Sequence, residues 1–174
     1  MTLNSQGSRI LVGDMQESIF WVAYKTQPQR QLLIFADDAQ SRWVTSSHMV
    51  DYETVACGDK FGNIFINRLP QRVSSSVDED PTGSGILHEK GHLQGAAHKT
   101  NLMAHYHVGG IVTSINKTVL VAGGRDVLLY TTLNGSVGAL IPFTSKDDIE
   151  FMTTLEMVSP VRSDISHASL NQFH

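Results

Sequence analysis

Five histidines crowd one stretch of the chain: His88, His92 and His98, then His105 and His107. The last two stand at i, i+2, so both imidazoles share one face of a strand. That is an acceptable pair of ligands for a zinc-like cation, with a third supplied by the nearby loop. No Cys, Asp or Glu stands at a recognisable ligand spacing beside them, so a polar surface strand is the better reading. Asp37-Asp38 and Asp147-Asp148 are adjacent carboxylates. Acid–base catalysis needs two such groups converging on one pocket with separated pKa values, whereas sequence neighbours point apart. The first pair reads as a turn and the second as a helix N-terminus. Gly83-Ser84-Gly85 approaches a nucleophile elbow but lacks a preceding strand. Gly109-Gly110 and Gly123-Gly124 precede no helix opening on Lys-Ser/Thr, so they read as hairpin turns rather than phosphate loops. Trp21, Tyr24, Phe35 and Trp43 are candidates for an aromatic platform under single-stranded nucleic acid, with packing between sheets the favoured fate of Trp21. No catalytic, cofactor-binding or metal-ligating residue is assigned, and the chain is expected not to be an enzyme.

The elements that would carry these residues are short. Runs such as Arg9-Ile10-Leu11-Val12, Ile19-Phe20-Trp21-Val22, Gln31-Leu32-Leu33-Ile34-Phe35 and Ile64-Phe65-Ile66 are of strand length. So are Ile111 to Ile115, Thr118 to Val121, Val127 to Tyr130 and Val137 to Ile141. Each is rich in β-branched or aromatic residues and bounded by Gly, Asp, Asn or Pro, which gives an all-β class.

A repeat organises them. Val12-Gly13-Asp14, followed by Ser18-Ile19-Phe20-Trp21, recurs 45 residues later as Cys57-Gly58-Asp59 followed by Asn63-Ile64-Phe65-Ile66. Ala122-Gly123-Gly124 before Val127 reads as a third copy. A strand that ends on Gly, a following Asp bonding the turn amides, and a new strand make one hairpin unit. Such a period favours propeller blades over a sandwich or barrel. The expected fold is a partial β-propeller of several four-stranded antiparallel blades over residues 9–144, with residues 1–8 disordered. An insertion from about Pro70 to Ala97 holds Ser74-Ser75-Ser76, Asp78-Glu79-Asp80, Pro81 and Gly83-Ser84-Gly85. It is expected to be mobile, its composition burying too little apolar surface to fold alone. Ile86 to Leu93 could add a helical turn. Ser145 as N-cap, with Asp147 and Asp148 in the first turn, predicts a helix over 145–157, and residues 158–174 are expected to be disordered.

Across 174 residues there are 13 Lys and Arg against 17 Asp and Glu, a formal charge of −4. That balance argues against binding driven mainly by phosphate neutralisation. The single Cys57 excludes an intrachain disulfide framework and suits a reducing interior. No run approaches the roughly 20 apolar residues of a membrane helix, and the first residues lack the pattern of a signal peptide. A soluble intracellular protein is expected, with no small-molecule substrate. Unpaired strand edges in a partial propeller predict poor solubility of the isolated chain.

One linked set of segments carries a resemblance. Asp14 to Ser18, Leu33 to Asp38, Arg42-Trp43-Val44-Thr45, Asp59-Lys60-Phe61-Gly62-Asn63-Ile64, and Val77 to Gly83 occur in order. Tyr106-His107-Val108-Gly109, Gly135 to Gly138 and Pro142 to Ser145 follow. Over about Ile10 to Met157 the chain resembles the family of large propeller proteins typified by splicing factor 3b subunit 3. Its wider members include the large UV-damaged-DNA-binding subunit and the large cleavage and polyadenylation specificity factor. The resemblance implies a fragment of the last propeller of a non-enzymatic nuclear scaffold for precursor-mRNA splicing. It implies no cofactor, contacts with other splicing factor 3b subunits, and at most weak or indirect RNA contact. Direct nucleic-acid binding and a ubiquitin-ligase adaptor role are the alternatives. Gly110 departs from the family, whose members usually carry an acidic residue there, and after Met157 the resemblance stops.

Overall fold

The computed structural model describes residues 1–86, 95–143 and 145–158. Among these residues, twelve strands form three sheets. The first runs β1 (Thr2–Gln6), β2 (Arg9–Gly13), β3 (Ile19–Lys25), β4 (Gln31–Asp37) and the two-residue β8 (His98–Lys99). The second runs β5 (Val44–Met49), β6 (Thr54–Asp59), β7 (Asn63–Arg68) and β9 (Asn101–His107). The third runs β10 (Val112–Val119), β11 (Asp126–Thr132) and β12 (Val137–Leu140). All pairings are antiparallel except β8 on β4. Helix α1 (Gln71–Glu79) follows β7, and α2 (Lys146–Val158) ends the described chain.

The sheets are blades packed face to face with their first strands side by side: β5 lies against β1 and β2, and β10 against β5 and β6. Strand alternation explains why the middle blade reads as continuous apolar sequence. Every residue of β6 is buried, because successive side chains point to opposite faces and both faces are covered. Val55, Cys57 and Phe65 join Leu11, Trp21, Phe35 and Val44 in a core with the first blade. Their neighbours Ala56 and Ile64 turn the other way and join Val112, Ile115 and Leu128 in a core with the third. The fold is thus a partial β-propeller.

One contact recurs at each blade interface. A Cβ on Gly13 would lie 2.9 Å from Val44 Cγ1, and one on Gly58 would lie 2.4 Å from both Cβ and Cγ1 of Val112. The repeated glycine therefore makes room, as a socket, for the first valine of the next blade, at Gly13 together with Thr2 Oγ1, 2.2 Å from the same Cβ position. Each valine opens the same irregularity: the register shifts between Val44 and Ser46 and between Val112 and Ser114. The bulged threonines act alike, Thr45 Oγ1 donating to the Gly58 carbonyl (3.1 Å) and Thr113 Oγ1 to that of Thr131 (3.2 Å). Thr45 Oγ1 also reaches the Val112 carbonyl across the interface at 2.5 Å. Val-Thr-Ser is the sequence mark of this bulge, and the Gly-Asp pattern alone does not reveal it.

Three expectations need correction. Ala122-Gly123-Gly124 is not a third copy of the Gly-Asp hairpin, because it joins the first two strands of its blade, β10 and β11. The equivalent hairpin of the third blade is the Leu133–Ser136 turn between β11 and β12. Nor are residues 1–8 disordered: Thr2 to Gln6 pair with β2 in full register. Asn4 Nδ2 also donates to the Ser47 carbonyl (3.0 Å) of the second blade. The insertion, finally, is anchored through a helix. Val73 and Val77 of α1, with Ile86, are buried in the first core. The fully buried Arg9 holds the helix: Nη2 donates to Ser74 Oγ (2.8 Å) and Asp78 Oδ2 (2.9 Å), Nη1 donates to the Tyr52 carbonyl (2.9 Å), and the guanidinium stacks 3.8 Å from the Tyr52 ring. Burying that cation without a partner would cost several kcal/mol, on the order of 3–5, so α1 and β2 are mutually dependent. Residues 87–94, with His88, His92 and most of the expected helical turn, lie outside the described residues, as do 159–174.

Beyond α1, Asp80 organises a turn. Its Oδ1 accepts from the amides of Thr82 (3.0 Å) and Gly83 (2.9 Å), and Oδ2 from that of Gly85 (2.8 Å). Gly83 has φ +71°, and a Cβ there would meet Leu33 Cδ1 at 2.1 Å. At the far end, Ser145 Oγ accepts from the Asp148 amide (3.0 Å), capping α2, none of whose residues is buried.

Two predictions follow from the packing. Gly58→Ala should cost about 1–3 kcal/mol by overpacking against Val112, read as a lower urea midpoint at unchanged slope. The double variant Gly58→Ala/Val112→Ala should be less destabilised than the two single variants summed, and full additivity would contradict the socket. The second concerns Asp80. Burial opposes its ionisation, but the donors from Gly85, Thr82 and Gly83 outweigh it and hold the carboxyl below its ordinary value. A lowered folded pKa means that its stabilisation is present above the ordinary carboxylate pKa and is lost as pH falls through the folded value. Cleavage in the 80–86 loop by an acid-tolerant protease should therefore rise steeply at acid pH, and Asp80→Ala should remove that pH dependence.

Candidate functional site

The second hairpins of the first two blades, β2–β3 and β6–β7, open on the same side as the linker from β4 to β5. Between them lies an open cleft of about 390 Å³ lined by Met15, Gln16, Ser41, Arg42, Trp43, Asp59, Phe61 and Asn63. Its walls are set by carboxylates used as acceptors. Asp14 Oδ2 accepts from the amides of Gln16 and Glu17, each at 3.1 Å, and Asp59 Oδ1 from those of Phe61 (2.8 Å) and Asn63 (2.9 Å). The amides of Gln16, Glu17 and Met15 hold Asp14 below the usual carboxylate range. Asp59 also accepts from Asn63 Nδ2 (2.8 Å), and Asn63 Oδ1 meets His107 Nδ1 at 2.9 Å.

The linker is pinned from beneath. Asp37 and Asp38, expected simply as a turn, are buried, and each has its own partner. Asp37 pairs with Lys99 (2.7 Å) and accepts from the Ala96 amide (3.2 Å). Asp38 accepts from Ser18 Oγ (2.7 Å) and from the Gln40 amide (3.2 Å). That bond helps to hold Ser18 at φ +76°, a conformation costing a non-glycine residue roughly 1–3 kcal/mol. Arg42 forms an ion pair with Asp38 (Nε to Oδ2, 3.3 Å) that is too poorly aligned to count as a hydrogen bond. Its guanidinium lies 4.4 Å from the Phe65 ring, its Nη2 donates to Gln40 Oε1, and only 9% of the side chain is exposed. Above it, Lys60 Nζ sits 3.9 Å from the Trp43 ring. Phe61 is 68% exposed and Met15 48%. The cleft thus offers an apolar shelf beside two cations, the composition of a recognition surface.

Of the other residues singled out, Trp21 and Phe35 are fully buried while Tyr24 and Trp43 are partly exposed. The four do not form a platform. His105 and His107 lie on β9 and His98 on β8. Among the described residues, no three His, Cys, Asp or Glu side chains gather as a metal would require. Burial, aided by Arg42, lowers the His105 pKa against the opposing pull of Asp59, and burial pushes the Cys57 thiol well above its ordinary value. The raised thiol is not an activated nucleophile at neutral pH. Asp147 and Asp148 stand in the first turn of α2. Sequence reasoning did not single out Arg9, Arg42, Lys60 or Phe61 for a role, although Asp59-Lys60-Phe61-Gly62-Asn63 stood out as a block.

Antiparallel blades packed face to face, here sheets of five, four and three strands among the described residues, define the chain as part of a propeller. The family model described as the CPSF A subunit region matches residues 1–166, and the chain belongs to that family. The match begins before Ile10 and continues beyond Met157, so the family likeness does not stop where the sequence reading placed its end. The chain is 58% identical over 156 residues to the pre-mRNA-splicing factor RSE1 of Mycosarcoma maydis, covering 90% of this chain. It is 53% identical over 164 residues (94% of this chain) to the probable splicing factor 3B subunit 3 of Dictyostelium discoideum. With splicing factor 3B subunit 3 of Danio rerio it shares 48% over 155 residues, covering 89% of this chain. The chain spans about 13% of the length of each of these relatives.

Proposed function

We propose that this chain is a scaffold segment of a splicing factor 3b complex, acting in nuclear precursor-mRNA splicing through protein–protein contacts rather than catalysis. The identity to proteins named as splicing factors supports the role. The single observation that supports contact with protein is the cleft, where Met15, Trp43 and Phe61 stand exposed beside Arg42 and Lys60. Exposed aromatics flanked by cations are typical of the anchors that carry binding energy at protein interfaces. The net charge of −4 disfavours a phosphate-tracking surface.

A pull-down from nuclear extract with the tagged chain should enrich splicing factor 3b subunits. The surface variant Lys60→Glu/Phe61→Ser should lose them at least about tenfold, as removal of a hot spot does. No enrichment would overturn the assignment, and enrichment indifferent to the variant would move the contact off the cleft. Salt-dependent retention of labelled RNA on a filter, lost in the same variant, would favour direct RNA binding instead.

A further inference from the structure

Ser74-Ser75-Ser76 and Asp78-Glu79-Asp80 lie together on and beside α1, away from the cleft described above. The structure separates their roles. Ser74 is buried and taken by Arg9, whose guanidinium also pairs with Asp78 at 2.9 Å, while Asp80 is committed to the amides of its own turn. Ser75, Ser76 and Glu79 are exposed. Of the serines only Ser76 lines a second open cleft, of about 300 Å³, with Arg72, Val73 and His98. Arg72 stands one helical turn before Ser76, and among the described residues its side chain makes no ion pair or hydrogen bond.

We propose that Ser76 is a phospho-acceptor site for a serine/threonine kinase that reads carboxylates downstream of its target, and that Arg72 receives the phosphate in this cleft. Ser76 is followed at the second, third and fourth positions by Asp78, Glu79 and Asp80, the pattern that a basic substrate groove selects. In the transfer, Ser76 Oγ attacks the γ-phosphorus of a nucleoside triphosphate. The new O–P bond forms as the bond to the β–γ bridging oxygen breaks, the nucleoside diphosphate leaves, and the hydroxyl proton passes to the kinase's carboxylate base.

Access comes from the helix itself. α1 is nine residues long, with no side-chain cap at Pro70, no acid in its first turn and no base in its last. Helices this short have little stability of their own, so once the Arg9 contacts to Ser74 and Asp78 are released, α1 can open locally around the exposed Ser76. Once added, the phosphate carries close to two negative charges. Of its three acidic neighbours, Asp78 is paired to Arg9 and Asp80 is satisfied by amides, leaving Glu79 as the unpaired carboxylate. Arg72, four residues before Ser76 on the same helical face, offsets it.

The chain would be treated with purified casein kinase 2 and magnesium ATP, and a peptide of residues 70–84 would serve as the control for kinase activity. Intact mass should rise by one phosphoryl group, fragmentation should place it on Ser76, and Ser76→Ala and Glu79→Lys should each abolish the gain. Phosphorus NMR should then show the phosphoserine's second ionisation midpoint lower by about 0.5 unit than in phosphorylated Arg72→Ala. Phosphorylation of the peptide but not the chain, or transfer to Ser75, would overturn the site. An ionisation midpoint indifferent to Arg72→Ala would overturn the seat.

Discussion

The whole arrangement depends on a missing methyl group. At Gly13 and Gly58 a strand of one blade has no side chain; Val112 of the next blade crowds the Gly58 Cβ position, and Val44 shares the space at Gly13 with Thr2 Oγ1. Burying such a valine is worth about 1.5–3 kcal/mol, but its position matters more than its energy. The valine begins a bulge, the bulged threonine ties back to its own blade, and in Thr45 it also ties forward to the next. Blade spacing and strand register are therefore fixed by one device. Everything on the hairpin face inherits its geometry from it, including the separation of the Asp14 and Asp59 turns that forms the cleft.

Half of that device was legible. Gly13-Asp14 and Gly58-Asp59 are identical dipeptides at a constant offset, and aspartates bonding turn amides give such hairpins a recognisable shape. The partner half, Val44-Thr45-Ser46 and Val112-Thr113-Ser114, is equally regular in the chain. It went unread because the insertion stretches the second interval, hiding the period. The same stretch made Gly123-Gly124 look like a third copy, when the true equivalent at Leu133–Ser136 has neither the Gly-Asp order nor its socket glycine. A local composition rule mistook α1 for a mobile loop. Its two buried valines are few for an independent helix, and what anchors it, Arg9, lies in another blade.

The cleft was less legible than the fold. Asp37-Asp38 looks like any polar turn until burial and separate cationic partners are known. Arg42 reads as a surface cation, yet the Phe65 ring beneath it and Asp38 beside it hold it nearly buried. Pairing of that kind depends on residues distant in sequence, so no window of neighbouring residues displays it. What the sequence did carry was the block around Phe61, since a glycine at φ +82° and an aspartate bonding two amides leave few other choices for that turn.

The clasp on Arg9 also imposes an order of events. Its carboxylate partner lies 69 residues further along the chain. During synthesis β1 to β4 can all have emerged before Asp78 exists. Until then the guanidinium of Arg9 must stay in water, and the side of the core that α1 covers stays open. β5, β6 and β7 of the second blade emerge in that interval, and the cost of closing so long a loop grows only slowly with its length. The core shared by the first two sheets is thus closed by a helix made after most of its strands, and the edge places taken by β8 and β9 are filled later still.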